Sequence, residues 1–302
     1  MERKITFFAD ERHAGRMIKE VLKGEFAFSH KLITRMKQRE NGVMVNGAHV
    51  FVTYRLKAGD SVALVVEEEG AASENIVPVR GDLIVLFEDT DILVVDKPAG
   101  VPVHPSQDHY TDSLANYVAY YYAQKGRSTI FRPINRLDRN TSGIVLIAKN
   151  QYCAHLLHAK TKNREIKKEY MAIVYGTAPE RGEICAPIGR CEGSTIERRV
   201  MEGGKEAVTQ YKRVDHTKEA SLLRVTTLTG RTHQIRVHLS YIGHPLIGDF
   251  LYGKEEPEKI IRHALHMGSL TFSHPLTGEE MHFHSPLAAD MQKLWEMERR
   301  EA

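Results

Sequence analysis

A stretch of small and polar residues, Gly70 to Gly81, divides the 302-residue chain into two unequal parts. It is rich in Ala and Ser and contains Pro78, a composition typical of linkers rather than of helices or strands. The part before it has the size of one small domain, and the roughly 200 residues after it can bury a core of their own. We therefore predict a domain at 1–70, a linker at 71–82 and a second domain at 83–302.

The composition is that of an ordinary globular protein, with 42% apolar and 27% charged residues. The chain begins without an apolar signal segment, and no apolar run approaches the ~18 residues that a membrane span needs. Its three cysteines form no C-x-x-C pair, which argues against a disulfide framework and a zinc-thiolate site. We expect a cytoplasmic protein with reduced cysteines.

Positive charge is concentrated in two segments, although the net charge of the chain is only +3. Between Arg12 and Lys57 there are ten Lys or Arg residues against three acids. The second segment contains Lys160, Lys162, Arg164, Lys167 and Lys168. Basic faces of this kind are typical of proteins that bind a polyanion such as RNA, although a solvated charged surface gives the same pattern.

The first 70 residues resemble an S4 RNA-binding domain. Apolar residues at helical spacing predict helices at 14–24 and 29–40, and Asn46-Gly47 predicts a hairpin before a strand at 62–66. The resemblance rests on Gly15-Arg16, Ser29, Val43-Met44-Val45-Asn46-Gly47 and Lys57-Ala58-Gly59-Asp60. It implies RNA contacts by Arg16, Lys31 and Arg35.

The second part alternates strand and helix patterns without regular βαβ units. Strand runs occur at 83–87, 92–95, 144–148, 170–175 and 222–228, and Thr111 to Gly126 predicts a helix. A largely antiparallel mixed sheet with flanking helices accounts for this order best. The predicted fold class is α+β, with a small N-terminal S4-like α/β domain followed by a catalytic domain built on that sheet.

The segment from Asn135 to Gly143 is crowded with turn residues and is followed at once by an apolar strand. This pattern predicts that Asp138 lies in a tight polar turn at the mouth of a sheet, where Arg136 and Arg139 would keep it ionised. Such a carboxylate can be a nucleophile or a base. On composition alone, an aspartate that only caps its own turn through Thr141 or Ser142 is the favoured alternative.

Together with its neighbours, this segment resembles the R-L-D-x-x-T-S-G signature of the RluA-type family of pseudouridine synthases. Further family motifs occur in the family's order. Upstream of this segment stands Glu88 to Pro105, which contains Asp96-Lys97-Pro98. Downstream come Lys168-Glu169-Tyr170 with Gly176, Thr229 to Leu239, which contains Gly230-Arg231-Thr232-His233-Gln234-Ile235-Arg236, Gly243 to Asp249, and Arg262-His263-Ala264-Leu265-His266 with Ser285-Pro286-Leu287. Asn135 departs from the family pattern, which usually has His at that position.

The resemblance implies an RNA pseudouridine synthase, an isomerase that cuts the N1 glycosidic bond of a uridine and joins C5 to C1′. It makes Asp138 the nucleophile, whether by attack at C1′ or through a glycal, and Tyr170 the residue that stacks on uracil and is a candidate base. Arg231 would pair with the catalytic carboxylate, and Arg136 would fill the space of the flipped uridine. Arg139 would contact RNA, and Lys97 would contact backbone or phosphate.

No cofactor, metal or membrane is implied, and we expect a monomer whose partner is RNA. Ribosomal RNA, especially that of the large subunit, is favoured over transfer RNA by association with the S4-like domain. Among the histidines, His233 and His238 would point ~140° apart on a helix, and His282 and His284 alternate on a strand without a third ligand nearby in sequence.

Two other classes of function remain open from the residues alone. A non-catalytic RNA-binding or ribosome-assembly factor could keep the same fold, although the joint presence of Asp138, Tyr170 and Arg231 argues against a retired site. A glycosidase-type hydrolase would need a second carboxylate as its acid, and the motifs offer none.

Overall fold

The protein is described as a computed structural model, which covers residues 2–67, 76–128 and 130–300. Residues 71–75 of the predicted linker, and the end of the predicted first domain at 68–70, lie outside these ranges. Within them the chain forms a mixed α+β structure with two separate main sheets. No helix in these ranges is both long and apolar enough to pass through a bilayer.

The first sheet is a small antiparallel one, covered by two short helices. Its elements are β1 (Glu2–Phe8), α1 (Ile18–Gly24), α2 (His30–Met36), β2 (Val43–Val45), β3 (Ala48–His49) and β4 (Ser61–Glu67), with the strand order β1-β4-β2-β3. Asn46 and Gly47 both have positive φ, at 51° and 81°, which is the conformation that the tight hairpin between β2 and β3 requires. Ser29 accepts a hydrogen bond from the Leu32 amide and begins α2 as predicted.

Strand β1 was not predicted. Its partner is β4, and their register pairs Glu2 with Glu67 and Phe8 with Ser61. Because the partner lies about sixty residues along the chain, no turn signal next to β1 reveals the pairing. The helices are also shorter than predicted, since residues 14–17 form a turn and an isolated bridge of Met17 with Arg55, and residues 37–40 form turns and a bend.

The second sheet has nine strands and lies in the part of the chain after residue 82. Its strands and the other elements of this part are β5 (Ile84–Glu88), β6 (Ile92–Lys97), α3 (Leu114–Ala123), β7 (Ser142–Ala148), α4 (Gln151–Lys162), β8 (Lys167–Tyr175), β9 (Arg181–Cys185), β10 (Ile188–Arg190), β11 (Arg198–Val200), β12 (Val208–His216), β13 (Ala220–Thr227), α5 (Gln234–Tyr241), β14 (Leu265–Ser273), β15 (Glu280–His284) and α6 (Ala289–Arg300). The order is β5-β6-β7-β14-β8-β13-β12-β9, with β15 on the far part of β14, while β10 and β11 form a separate hairpin.

Every pairing in this large sheet is antiparallel except that between β7 and β14. All seven residues of β7 are buried, as expected for a central strand that is covered on both faces. Along β8, Ile173 packs against α6 on one face, whereas Ala172 and Val174 join the core beneath α3 and α4 on the other. The predicted largely antiparallel sheet with flanking helices is therefore confirmed.

The two parts of the chain touch through the start of α4. Tyr152 is buried within the core of the first part, where its ring centroid lies 4.4 Å from that of Phe28. Arg35 donates a hydrogen bond of 3.2 Å to the Gln151 side chain. Arg3 in β1 makes a 2.8 Å ion pair with Asp91, whose side chain is buried. These contacts fix α4 to both parts of the protein.

Candidate active site

Asp138 lies in the turn that leads into β7, at the edge of a cavity of about 320 Å³. Its side chain is 27% exposed, so it can meet a ligand without being surrounded by bulk water. The volume is at the small end of the range for ligand sites. Among the described residues that line the cavity, Asp138 is the only carboxylate.

Each of the five residues after Asp138 is held by a separate contact. Two backbone carbonyls are held by buried cations: that of Arg139 accepts from Lys97 Nζ at 3.0 Å, and that of Asn140 accepts from Arg262 at 3.1 Å. Two hydroxyls contact histidines: Thr141 Oγ1 lies 2.8 Å from His263 Nε2, and Ser142 Oγ lies 2.9 Å from His266 Nδ1. Gly143 pairs with Met267 of β14. Gly143 has φ +117°, and a Cβ there would lie 2.3 Å from the Met267 carbonyl oxygen. The turn is therefore rigid, which fixes the direction of Asp138.

Arg262 ties this turn to the last helix. It is buried, and two of its nitrogens donate to the two carboxylate oxygens of Asp290 in α6 at 2.6 and 2.8 Å. Its remaining donors reach the backbone carbonyls of Asn140, His263 and Leu265 and the hydroxyl of Ser142. This one guanidinium thus joins the catalytic turn, the start of β14 and α6.

Arg236, in the first turn of α5, is the basic partner of Asp138. Its Nη1 lies 3.4 Å from Asp138 Oδ2, while Nε and Nη2 donate to the two oxygens of Asp249 at 2.8 Å each. Burial opposes the charge of Arg236, but the hydrogen bonds to Asp249 raise the pKa of its guanidinium. Burial likewise favours the neutral acid of Asp249, yet Arg236 holds the pKa of that carboxyl below its usual range. Asp249 therefore anchors a cation that is aimed at Asp138.

The predicted pairing of Arg231 with the catalytic carboxylate is wrong for this structure. Arg231 lines the cavity, but it precedes α5 and its Nε donates to the Glu206 carbonyl at 2.8 Å. Arg236 lies five residues later, on the buried side of the helix. The motif contains both arginines, and nothing in their spacing tells them apart. A buried arginine needs an anionic partner. The carboxylate of Asp249, in a later motif, was therefore the only sequence feature that could have indicated Arg236 as the buried arginine of this motif.

His233 completes the charged group around Asp138. Its Nε2 lies 3.9 Å from Asp138 Oδ2, and its Nδ1 lies 2.8 Å from the Tyr252 hydroxyl. The same hydroxyl accepts a hydrogen bond of 2.9 Å from the Arg198 amide, so it fixes the orientation of the His233 ring beside Asp138. Burial lowers the pKa of His233, while the negative charge of Asp138 opposes that shift. The Tyr252 ring also lies 4.9 Å from the Arg236 guanidinium carbon.

Tyr170 lies on β8 and faces the same cavity. It is 8% exposed and pairs in register with Val225 on one side and Met267 on the other. Burial and the negative charge of Asp138 raise the pKa of its phenol. Its placement next to Asp138 is compatible with the predicted stacking and proton-transfer roles, which stay predictions.

Asn135, the departure from the family pattern, stabilises the sheet next to the site. Its side-chain amide donates to the Ile144 carbonyl at 2.9 Å, and its carbonyl oxygen accepts from the Leu146 amide at 2.8 Å. Both bonds are buried. The side chain therefore replaces ladder hydrogen bonds at the edge of β7, and the doubt about this position does not extend to the placement of Asp138.

Lys97 is fully buried, so it is not available to a phosphate group. Its Nζ donates to the carbonyls of Pro98 and Val101 at 2.9 and 2.7 Å, besides that of Arg139. Burial and the nearby charge of Arg262 lower the pKa of Lys97 to about 7. The backbone contact that the sequence suggested for this lysine is the one observed, and the RNA-contact role is corrected to a structural one.

The other predicted RNA-contact residues are spread over the surface. Arg136 is exposed and lines the cavity, and Arg139 is exposed with its Nη1 2.7 Å from His109 Nε2. In the first part, Lys31 is exposed, whereas Arg16 forms a 2.5 Å ion pair with Glu25 and Arg35 is turned toward Gln151. The structure thus brings Arg136 to the site and leaves the three S4-like residues elsewhere.

One group in the described part of the chain has the spacing of metal ligands: Asp89, Asp91 and His274. Its chemistry does not suit a cation. The Arg3 guanidinium occupies Asp91 at 2.8 Å. His274 Nδ1 accepts backbone amides from Leu276 and Thr277, so Nε2 carries the proton and points at Asp89 rather than offering a lone pair.

Comparisons with known proteins agree on one family. The model of the RNA pseudouridylate synthase family matches residues 91–241. The chain is 42% identical over 272 residues to YjbO of Bacillus subtilis, which is named an uncharacterized RNA pseudouridine synthase. That alignment covers 90% of this chain and 95% of YjbO. It is 35% identical over 268 residues to the ribosomal large subunit pseudouridine synthase D of Vibrio cholerae, covering 84% of this chain and 82% of that one.

A solved structure shows the same likeness. Human RNA pseudouridylate synthase domain containing 1 has a TM-score of 0.58 and 25% sequence identity, and the match covers 77% of this chain and 98% of that chain. The chain belongs to the RNA pseudouridylate synthase family. It is an isomerase that acts on RNA, so the predictions of family and reaction class are confirmed.

Proposed function

We propose that this enzyme isomerises specific uridines of ribosomal RNA, in the large subunit, with Asp138 as its nucleophile. The observation that carries the proposal is the cavity in which Asp138 is the only carboxylate among the described lining residues, held on a rigid turn beside Arg236. An isomerase of this kind needs one anion at C1′ and no second acid, in contrast to a hydrolytic glycosidase. The large subunit is favoured because relatives over most of the chain are named large subunit synthases.

In this reaction Asp138 stabilises or traps C1′ once the N1 bond is cut, and uracil turns so that C5 takes its place. Arg236 Nη1, 3.4 Å from Asp138 Oδ2, holds the carboxylate in position. The charge of Asp138 is one of the two causes that raise the pKa of Tyr170. When C5 bonds to C1′, the bond between C1′ and Asp138 breaks and the carboxylate is free again; the proton on C5 is then removed, with Tyr170 as the candidate base.

Arg136 is exposed at the cavity and is suited to fill the stack that the flipped uridine leaves. We further propose that the first part of the chain is an S4-like RNA-binding domain, and that the enzyme works in the cytoplasm as a monomer. The exposed Lys31 and the excess of basic residues in this part support the RNA-binding role.

The test is the replacement of Asp138 by Asn, which keeps the shape of the side chain and removes the anion. We expect tritium release from RNA labelled at uridine C5 to fall to background while RNA binding is retained. Asp82→Asn is the matched control, because Asp82 is exposed and outside the cavity. Turnover by the purified Asp138→Asn and Asp138→Ala proteins would refute the nucleophile. Mapping of pseudouridines in ribosomal RNA, with and without the protein, tests the substrate.

A further inference from the structure

Helix α4 connects the first part of the chain to the catalytic cavity. Its first residues touch that part through Tyr152, within its core, and through Gln151, bonded to Arg35. Near its other end Thr161 lines the cavity that contains Asp138. Twelve residues at ~1.5 Å each give a helix about 18 Å long, so α4 spans the distance between the two regions.

One face of α4 is accessible to solvent: Gln151 at its start is partly exposed, and His155, His158 and Lys162 are exposed. Gln151, His155, His158 and Lys162 follow one another at spacings of four, three and four residues, which places them on a single stripe. Cys153 and Leu157 lie in the core on the opposite side. Every side chain of the stripe can donate a hydrogen bond to a phosphate oxygen, and none is an acid.

The charges around the end of α4 leave positive groups without internal partners. Lys160 is paired with Glu165 at 3.2 Å, and Arg164 lies 3.7 Å from Glu206. Lys162 and Lys167 are both exposed, and in the described ranges neither has a carboxylate within ion-pair distance. The basic segment 160–168 therefore presents net positive charge immediately beside the catalytic cavity.

The other end of α4 has positive groups of the same kind. Lys31 in α2 and Lys37 directly after it are exposed, and neither is paired with a carboxylate in the part of the chain that the structure describes. Arg35, between them, contacts Gln151 at the start of the stripe. Basic groups thus stand at both ends of a helix whose open face carries only donors.

We propose that the solvent-facing stripe of α4, from Gln151 to Lys162, is an RNA-binding surface that guides the sugar-phosphate backbone between the S4-like part and the cavity of Asp138. The identity of the polymer rests on the proposed function. In this arrangement α4 contributes phosphate contacts of its own rather than serving only as a spacer, and it links recognition by the first part to the position of the target uridine.

The experiment is the salt dependence of binding by the full-length protein to an unmodified transcript of bacterial large-subunit ribosomal RNA. Each phosphate contact that is lost lowers the slope of log affinity against log salt by roughly 0.7 to 0.9, which is about fivefold to eightfold in affinity at 0.1 M salt. We expect this change for Lys162→Ala, together with a higher KM. Lys162→Arg should keep the slope, because it keeps the charge.

Lys212→Ala is the matched control. Lys212 is also an exposed lysine, but Tyr211 beside it shares a sheet face with Val225 and Tyr170, so Lys212 points to the opposite face. The slope of log affinity against log salt for Lys212→Ala should equal that of the wild type. A Lys162→Ala slope equal to that of the wild type would overturn the proposal. If the wild type binds RNA but forms no pseudouridine, the proposed function fails while the slopes still decide whether α4 binds RNA.

Discussion

Arg236 stands between two carboxylates, and the charge balance of the cavity depends on it. Replacing it with Met removes the cation beside Asp138 and leaves Asp249, whose side chain is 1% exposed, without its counterion. We expect turnover to fall by roughly 10² to 10³, the usual effect of removing one preorganised charged donor. Stability should fall by about 3 to 5 kcal/mol, because a buried charge is left unpaired. Single-turnover kinetics and urea unfolding measure the two effects.

Arg231 provides the comparison for this prediction. Arg231→Met loses one hydrogen bond to a backbone carbonyl and exposes no buried charge, so its loss in turnover and stability should be much smaller. Arg236→Lys keeps the charge but cannot bond both oxygens of Asp249, and it should recover only part of the activity. Equal losses in Arg231→Met and Arg236→Met would contradict the assignment.

Lys97 makes a pH dependence that can be measured without substrate. Its pKa is about 7 in the folded protein, against ~10.4 for an unfolded lysine. Between these values the unfolded chain binds a proton that the folded chain does not, so the free energy of unfolding rises with pH, by up to about 1.4 kcal/mol per pH unit. Below about 7 the cost of burying the charge is fully present.

The measurement is urea unfolding of the wild type and of Lys97→Met from pH 6 to pH 9.5. The difference in the free energy of unfolding, wild type minus variant, should increase with pH above about 7. A difference that is flat or falls with pH would show that the three carbonyls keep the ammonium charged throughout.

Among single residues, the sequence predicted those that a motif places directly and missed those that depend on long-range contacts. Asp138 and Tyr170 face one cavity, and their motifs had paired them. Arg236 was missed because its role depends on Asp249, thirteen residues away on another segment. Lys97 was assigned in part to phosphate because the motif does not reveal that its side chain is fully buried.

Helix α6 acts on the catalytic turn through a single ion pair. In Asp290→Asn, Arg262 keeps its carbonyl acceptors but loses its counterion. We expect a loss of about 1.5 to 3 kcal/mol, toward the lower value because the Asp290 side chain is 41% exposed. Turnover should fall as well, since Arg262 holds the Asn140 carbonyl, although Asp290 lies outside the cavity. Unchanged turnover in a destabilised variant would show that the turn keeps its shape without α6.

At the level of elements, the sequence predicted those strands and turns whose signals lie in their own segments. It missed those elements that depend on a partner far along the chain. The Asn46-Gly47 hairpin, β6, β7 and β8 follow from turn chemistry and apolar runs in their own segments. By contrast, β1 pairs only with β4, and the predicted cap Thr111 lies two residues before the actual cap, Ser113, which accepts from the Asn116 amide. The fold class could be predicted because the sequence already shows strands and helices in an irregular order, without regular βαβ units.

For the whole molecule, removal of residues 2–67 separates RNA affinity from chemistry. We expect the slope of log affinity against log salt to decrease by roughly 0.7 to 0.9 for each phosphate contact in this part. The deletion also exposes Tyr152 and takes Arg3 from the buried Asp91, so the remaining part should unfold at a lower temperature.

Tyr152→Ser in the truncated protein should restore solubility, because it removes the exposed ring. An unchanged salt slope in the truncated protein would mean that the first part does not touch RNA. Filter binding at several salt concentrations and thermal unfolding provide both measurements.

Apart from Lys97, the residues whose contacts hold the turn after Asp138 lie at 262–290, more than a hundred positions later in the chain. During synthesis Asp138 therefore leaves the ribosome long before most of the groups that hold its turn. At ~5 to 20 residues per second, roughly 7 to 30 seconds separate the two events. A nascent chain that ends before residue 262 already contains the whole N-terminal sheet, but it lacks the groups that hold the turn of Asp138. On the proposed role of Asp138, such a chain has no assembled site, so the reaction waits for residues that lie far from the nucleophile in sequence.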